Sequence, residues 1–363
     1  MSDLSTYSRH ISLLIFASIF TFLNCSIDSN AQEKQQDTLS ICIMGDMMMH
    51  ANQINTAHKG ENFDFSSYFK QIEDRIASAD IAVTNMEFTL GGEPYTGYPC
   101  FSAPDSFADY LAETGFDVFL AANNHIFDKG SSGAQRTLEI YQEMETEGRI
   151  TFTGLAGNAE DRERRNPLII KLKDISVAFI NFTYGTNAGY QTVWPKTTYM
   201  GERKFIAEAM KKAEENADMT IVLPHWGTEY QLTHSQEQEE LAKWLISHGA
   251  DAIIGSHPHV VQDRTTIGKT PVAYSLGNAV SNMSASNTQI ELMATLRIVK
   301  TEGGDCILLP IEYTWLWCSR PGGYGNDYTV LPVEEQIDKK SQWQGQWEHD
   351  KMMATYSRVK YNK

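Results

Sequence analysis

Leu39-Ser40-Ile41-Cys42-Ile43-Met44-Gly45-Asp46 is an apolar run that ends on a glycine and a carboxylate. The run from Leu39 to Met44 has the length and composition of a buried strand. Gly45 would let the backbone turn sharply, so that Asp46 points off the strand end. The same design recurs along the chain. Ile81-Ala82-Val83-Thr84-Asn85-Met86-Glu87 ends on an amide and a carboxylate. Phe119-Leu120-Ala121-Ala122-Asn123-Asn124-His125-Ile126-Phe127-Asp128 ends on two amides, a histidine and an acid. Ile221-Val222-Leu223-Pro224-His225 and Ile253-Ile254-Gly255-Ser256-His257-Pro258-His259 end on imidazoles, and Val272-Ala273-Tyr274-Ser275-Leu276-Gly277-Asn278 closes the set.

Between these runs lie longer amphipathic stretches. Spacing predicts helices at Tyr68–Ala79, Ser106–Thr114, Ala134–Glu147, Glu202–Asn216 and Ser235–His248, and a further strand at Ile175–Phe182. Strand and helix in alternation imply an α/β fold with a largely parallel sheet. Such sheets bind ligands in the crevice outside the carboxyl ends of their strands, so the polar clusters can converge. After Asn278 the pattern changes. Ile290–Val299 and Cys306–Trp317 read as long strands joined near Gly303-Gly304, an added hairpin on a second sheet. The body is taken as residues 39–330 and the polar, partly helical tail as 331–363.

Each cluster has an ordinary reading as well as a chemical one. Strand-Gly-Asp is often a turn, Glu87 can be a loop carboxylate, and a strand-end His225 can be a packed histidine. His50 reads as a ligand or a loop histidine. Two histidines one residue apart project the same way on an extended backbone, which Pro258 favours at His257. His125 with Asp128 has the spacing of a general acid and its orienting carboxylate. Asn85, Glu229, Tyr230 and Asn278 are the candidate substrate contacts. Together Asp46, Glu87, Asn124, His225, His257 and His259 form a mixed oxygen and nitrogen set. No thiolate joins it, which suits manganese, iron or zinc in an open site. Six candidates are too many for one such ion and enough for two, typically ~4 Å apart.

The chain has 363 residues and a net charge of −16, from 30 Lys+Arg against 46 Asp+Glu. An acidic body with no basic stripe argues against nucleic acid, whose binding depends on displaced counterions. Ile11 to Leu23 is apolar over a stretch too short to span a bilayer comfortably. Arg9 and His10 precede it and Ser29-Asn30-Ala31 follows, the pattern of a secretory signal over residues 1–31. The alternative is a lipoprotein signal ending before Cys25, which would make lipid the sole membrane contact. Residues 32–38 are a polar tether. Export permits disulfides, and Cys306 with Cys318 could close a hairpin, while Cys42 reads as a buried free thiol.

The ordered motifs Gly45-Asp46, Asn85-Met86-Glu87, Ala122-Asn123-Asn124-His125, Thr183-Tyr184-Gly185-Thr186-Asn187, His225-Trp226-Gly227-Thr228-Glu229-Tyr230, Gly255-Ser256-His257-Pro258-His259 and Tyr274-Ser275-Leu276-Gly277-Asn278 resemble the CapA family. These are poly-gamma-glutamate capsule synthesis proteins, related to calcineurin-like metallophosphoesterases. The resemblance covers about residues 39 to 280. It implies a four-layer αββα sandwich of the metallophosphoesterase type, with the hairpin and tail added, and two divalent metal ions at the sheet edge outside the cell membrane. It implies that Asp46 binds the first metal and that Glu87 bridges. Asn124, His225 and His257 would hold the second, His259 would return to the first, and His125 would protonate the leaving group. Where phosphoesterases open with Asp-x-His, this chain has Asp46-Met47-Met48, one ligand fewer. The readings that follow are a capsule protein acting on poly-gamma-glutamate or a related envelope polymer, a periplasmic or cell-surface metallophosphoesterase with no capsule role, and a non-catalytic scaffold. Implied partners are the polymer or a phosphoester, and capsule-synthesis proteins of the membrane.

Overall fold

The computed structural model describes residues 38 to 361. The expected signal, its alternative cleavage before Cys25 and the tether up to residue 37 lie outside the described residues. Thr38 already opens the first strand, Thr38–Met47.

Two sheets face each other. The first runs in the order Thr329–Pro332, Glu312–Ser319, Ile290–Lys300, Thr38–Met47, Ile81–Met86, Val118–Leu120, Thr151–Thr153. The second runs Arg264–Ile267, Thr270–Ala273, Ala252–Ile254, Met219–His225, Ile175–Thr183, Leu168–Leu172. The central pairings of both are parallel, because each crossover carries the chain back over one face.

Strand periodicity explains the layers. Leu39, Ile41 and Ile43 point one way and meet Val177, Phe179, Ile221 and Ile254 of the second sheet. Cys42 and Met44 point the other way, under Phe107, Leu111, Leu138 and Tyr141 of the helices Asp105–Thr114 and Gly130–Thr146. Ile180, Val222 and Ile253 cover the outer face of the second sheet, against Ile206, Met210, Leu241 and Leu245 of the helices Arg203–Asn216 and Gln236–Ser247. The result is helix, sheet, sheet, helix: the four-layer sandwich expected from the sequence. Every layer boundary is apolar on both sides, which is what removes these faces from water.

Several local expectations are corrected. The Tyr68–Ala79 stretch is helical only over Glu73–Ala77. Before it, three-residue turns bond Tyr68 to Phe65 and Ile72 to Phe69. These turns bury Tyr68, Phe69 and Ile72 much as a helix would, hence the misleading period. The Ile290–Lys300 strand pairs antiparallel with Thr38–Met47, so the added hairpin extends the first sheet rather than a second one. Its return is two strands, Cys306–Leu308 and Glu312–Ser319, because Pro310 cannot donate to a ladder. The boundary at 330/331 falls inside the strand Thr329–Pro332, and Trp343, Met352 and Tyr356 of the expected tail belong to the core between the sheets. The described cysteines are all free, so Cys306 and Cys318 form no bridge, and Cys42 is buried as expected.

Gly45 does not turn the chain. The first strand continues through Asp46 and Met47, and a side-chain carbon at Gly45 would lie 2.0 Å from the Gly277 carbonyl oxygen. Asp46 N–H donates to that same oxygen at 3.0 Å. The glycine therefore permits two backbones to touch. Gly45→Ala is expected to cost about 1–3 kcal/mol through overpacking, read as a lower urea midpoint; an unchanged midpoint would refute the close-approach account.

Candidate metal centre

Register builds the centre. In the first sheet Asp46 lies beside Asn85 on one side and Asn278 on the other. In the second sheet His225 lies beside Thr183 and is bridged to Ser256. Both rows are strand ends, and they face each other across the sandwich edge. The loops after them supply Glu87, the run from Asn123 to Asp128, His257 and His259.

Asp46, Glu87 and His225 each offer one ligand atom within 4.8 Å of the others, and Glu87, His257 and His259 do the same. Glu87 belongs to both groups. Asn124 joins through its side-chain oxygen, 2.7 Å from His225 Nε2. All six of the expected ligand residues are thus brought together, each at most 3 % exposed. His50 is not among them. It caps the helix Ala51–Ala57 and its Nδ1 accepts from the Asn282 N–H.

Neighbouring polar groups aim these ligands. Asn85 Nδ2 donates to Asp46 Oδ1 at 2.7 Å, and the His257 N–H donates to Oδ2 at 3.0 Å. Asn278 Oδ1 accepts from His259 Nδ1 at 2.9 Å, leaving Nε2 to face Glu87 at 3.8 Å. That arrangement fixes the tautomer of the ring. Ser256 Oγ sits 3.1 Å from His225 Nδ1. Asn85 and Asn278, expected at the substrate, are buried and spend their amides on the ligands themselves. Glu229 and Tyr230, in contrast, stand at the rim, with Glu229 Oε1 4.0 Å from His259 Nε2 and the Tyr230 ring 6.2 Å from His259.

His125 sits apart from the ligand groups. Its Nδ1 is held by Asp128 Oδ2 at 2.7 Å, and the Phe101 N–H donates to the same oxygen. The Phe101 ring meets the imidazole edge-on at 4.6 Å. Nε2 is left free, 4.0 Å from Glu87.

The electrostatics are those of a centre arranged for positive charge. Burial, then the Asp46 charge, holds the Glu87 carboxyl well above the ordinary range, and burial raises Asp46 too. Burial and neighbouring imidazoles push His225 and His257 well below their usual value, and burial lowers His259. Both Glu87 oxygens and His257 Nδ1 are buried without a hydrogen-bond partner. Orphaned carboxylate and imidazole atoms in one spot fit a divalent cation, which satisfies acceptors that no N–H reaches.

The His-Pro-His loop is not extended. His257 has φ 98° and His259 φ 58°, the left-handed region that costs about 1–3 kcal/mol per residue outside glycine. Pro258 nevertheless separates the rings enough for both to face Glu87. Residues the sequence reading passed over also shape the centre. Asn123 takes the Met86 carbonyl and the His125 N–H. Asn181 bonds Ala122 N–H and the Leu223 carbonyl, tying the two sheets. Glu291, fully buried, accepts from the Gly45 N–H at 2.6 Å. A carboxylate inside the apolar run Ile290-Glu291-Leu292 is the signal that could have found it.

Fold and centre define a class: a four-layer α/β sandwich with a buried carboxylate–imidazole centre at its strand ends. The family model described as bacterial capsule synthesis protein PGA_cap matches residues 40–283, and the chain belongs to that family. The capsule biosynthesis protein CapA of Bacillus anthracis is 28% identical over 271 residues, 71% of this chain and 63% of that protein. The chain thus spans less than two thirds of that relative. The PGA biosynthesis protein CapA of Bacillus subtilis (strain 168) is 25% identical over 315 residues, 82% of this chain and 78% of the relative. Among solved structures, the NAD nucleotidase of Haemophilus influenzae aligns with a TM-score of 0.47 at 13% identity, over 90% of this chain and 63% of that one.

Manganese added to chelator-treated protein should raise its stability, by about 2.7 kcal/mol at a hundred times Kd. Glu87→Gln should lose most of that increment. Without metal the variant should be at least as stable as the wild type, since glutamine needs neither a proton nor a countercharge in that buried position. Equal manganese stabilisation of both proteins, followed by thermal unfolding, would exclude the shared role of Glu87.

Proposed function

We propose that the chain is an exported capsule synthesis protein of the CapA type. It acts on poly-gamma-glutamate or a related envelope polymer through a hydrolase-type centre that holds two divalent cations. The observation that carries the reading is Glu87, which belongs to both ligand groups and whose two oxygens are buried without a hydrogen-bond partner. Family membership supports the capsule role. The apolar run Ile11–Leu23 supports export to the periplasm or cell surface, with Cys25 as the alternative anchor. No helix among the described residues is long and apolar enough to cross a membrane. Capsule-synthesis proteins of the membrane are the proposed partners.

Asp46, Glu87 and His225, with Asn124 beside His225, would hold one cation, and Glu87, His257 and His259 the other, a division that differs from the one the resemblance implies. Bound there, divalent ions polarise a phosphoryl or acyl oxygen and activate water. The chain's own residues do the rest. Asp128 orients His125 through Nδ1, so a proton leaves from Nε2 toward the departing oxygen. Asn85 and Asn278 keep Asp46 and His259 in position. Glu229 and Tyr230 line the entrance. Manganese, iron and zinc all suit this donor set.

A scaffold reading draws on Met48, buried at 1 % exposure where phosphoesterases carry a histidine. Turnover separates the two. Purified protein with manganese, iron or zinc is expected to hydrolyse p-nitrophenyl phosphate mono- or diesters, and His125→Ala to lower the rate about 100-fold or more. No turnover with any metal would leave the scaffold. Deleting the gene should reduce the anionic surface polymer; an unchanged polymer with turnover intact would leave a phosphoesterase without a capsule role.

A further inference from the structure

The chain's net charge is −16, yet three cations gather on one loop with no carboxylate to neutralise them. Arg320 Nη2 donates to the Met283 carbonyl, Arg358 Nε to Asn287 Oδ1 at 3.0 Å, and Lys351 Nζ to Gln289 Oε1. Each acceptor is a neutral oxygen. No ion pair among the described residues involves any of the three, whereas Lys340 close by is paired with Asp350. Glu348 takes the Arg320 backbone N–H, and its oxygens are otherwise spent on Gln289 Nε2 and Ser319 Oγ. Burial, then the Arg320 charge, lowers Lys351, so these two positive charges stand close together.

Arg320 also lines a pocket of about 390 Å³ with Asn52, Asn55, Thr56, Asn282 and Tyr328. Asn52, Asn55 and Thr56 share one face of the helix Ala51–Ala57, three and four residues apart. Asn52 and Asn55 are exposed, and their side-chain amides, like that of Asn282, make no hydrogen bond among the described residues. The Arg320 Nε is buried without a partner. A guanidinium fork flanked by unspent amides is the donor set that a carboxylate accepts from.

The pocket adjoins the metal centre. The Asn282 N–H donates to His50 Nδ1 at 3.3 Å, the His50 ring meets Phe101 at 5.2 Å, and Phe101 meets His125 at 4.6 Å. The loop that carries the cations is tied to the centre as well. Asn278, whose Oδ1 orients His259, donates through Nδ2 to the Thr288 carbonyl at 3.2 Å.

We propose that Arg320, with Asn52, Asn55 and Asn282, is a carboxylate subsite beside the centre, and that Arg358 and Lys351 extend it into a track for a polymer with a carboxylate on every unit. The inference rests on the proposed function and deepens it. A gamma-linked glutamate chain leaves the α-carboxylate of each unit free, so a chain with one unit at the centre has further carboxylates to lay along the loop. An acidic body repels such a chain elsewhere, and the unpaired cations set the direction in which it lies.

Calorimetry on the manganese-loaded full chain compares a short gamma-linked glutamate oligomer with the same oligomer amidated at its α-carboxylates. The acidic oligomer should bind about tenfold or more tightly, and added salt should weaken it. Arg320→Gln should lower its affinity about tenfold or more. Arg320→Lys should lower it less, because the charge stays and only the fork is lost. Arg358→Gln and Asn55→Ala, both at exposed positions, should each lower it about twofold or more. Lys243→Gln removes an equal charge from the helix Gln236–Ser247 and should change nothing. Affinity untouched by Arg320→Gln, or lowered as much by Lys243→Gln, overturns this inference and leaves the polymer reading standing, as does equal binding of the two oligomers. An acidic oligomer that fails to bind the wild type, with manganese stabilisation intact, overturns the polymer reading and this inference with it. Unfolding midpoints show which variants are folded, and Arg358→Gln and Asn55→Ala carry the test should Arg320→Gln not fold.

Discussion

Two carboxylates closed off from water at one point constrain everything around them. Removing an ion from water costs several kcal/mol even after relaxation, and Glu87 has no donor on either oxygen. The chain can keep such a group only by protonating it or by giving it positive charge. Burial lowers the pKa of all three imidazoles, which favours them as ligands over countercharges. The same desolvation that makes a bare carboxylate unfavourable there would make the centre a strong host for a divalent cation, because few waters compete for the ion.

Holding these atoms in place draws on the whole sandwich. Asp46 sits where the first strand touches the chain at Gly277, and that contact tolerates no side chain. Glu291 reaches in from the long antiparallel strand to take the Gly45 N–H. Asn278 orients His259 while donating to Ser281 and the Thr288 carbonyl. Gln289 beside that loop bonds Glu348 of the helix Gln346–Val359. The segment beyond the family-matched region therefore braces the loop that fixes one imidazole, and the strain at His257 and His259 is carried by packing on every side.

Legibility followed the range of the cause. The apolar runs and their strand-end polar residues were readable because burial and strand polarity are written locally. So were the helices over 106–114, 134–147, 202–216 and 235–248, whose apolar faces repeat at helical spacing. The Tyr68 stretch misled because consecutive turns bury residues at nearly the same interval. The hairpin was seen, but its sheet was not: an antiparallel strand carries no mark of which edge it will join. Asn85 and Asn278 were recognised as important and given the wrong neighbour, since an amide at a strand end looks alike whether it faces solvent or a histidine.

The amino-acid sequence by itself determined the kinds of atoms available and the ends of the strands that carry them: carboxylate, amide and imidazole, without thiolate. That follows from composition and periodicity, which act within a few residues. Tertiary structure alone decided that Glu87 is shared by two ligand groups and that Asn85 and Asn278 hold the ligands Asp46 and His259. It also decided that Gly45 is needed for contact rather than for a turn. These are matters of register between strands up to 246 positions apart, as Gly45 and Glu291 are. Packing across the two sheets selects that register, because only one pairing buries both apolar faces while bringing the polar ends to a common edge.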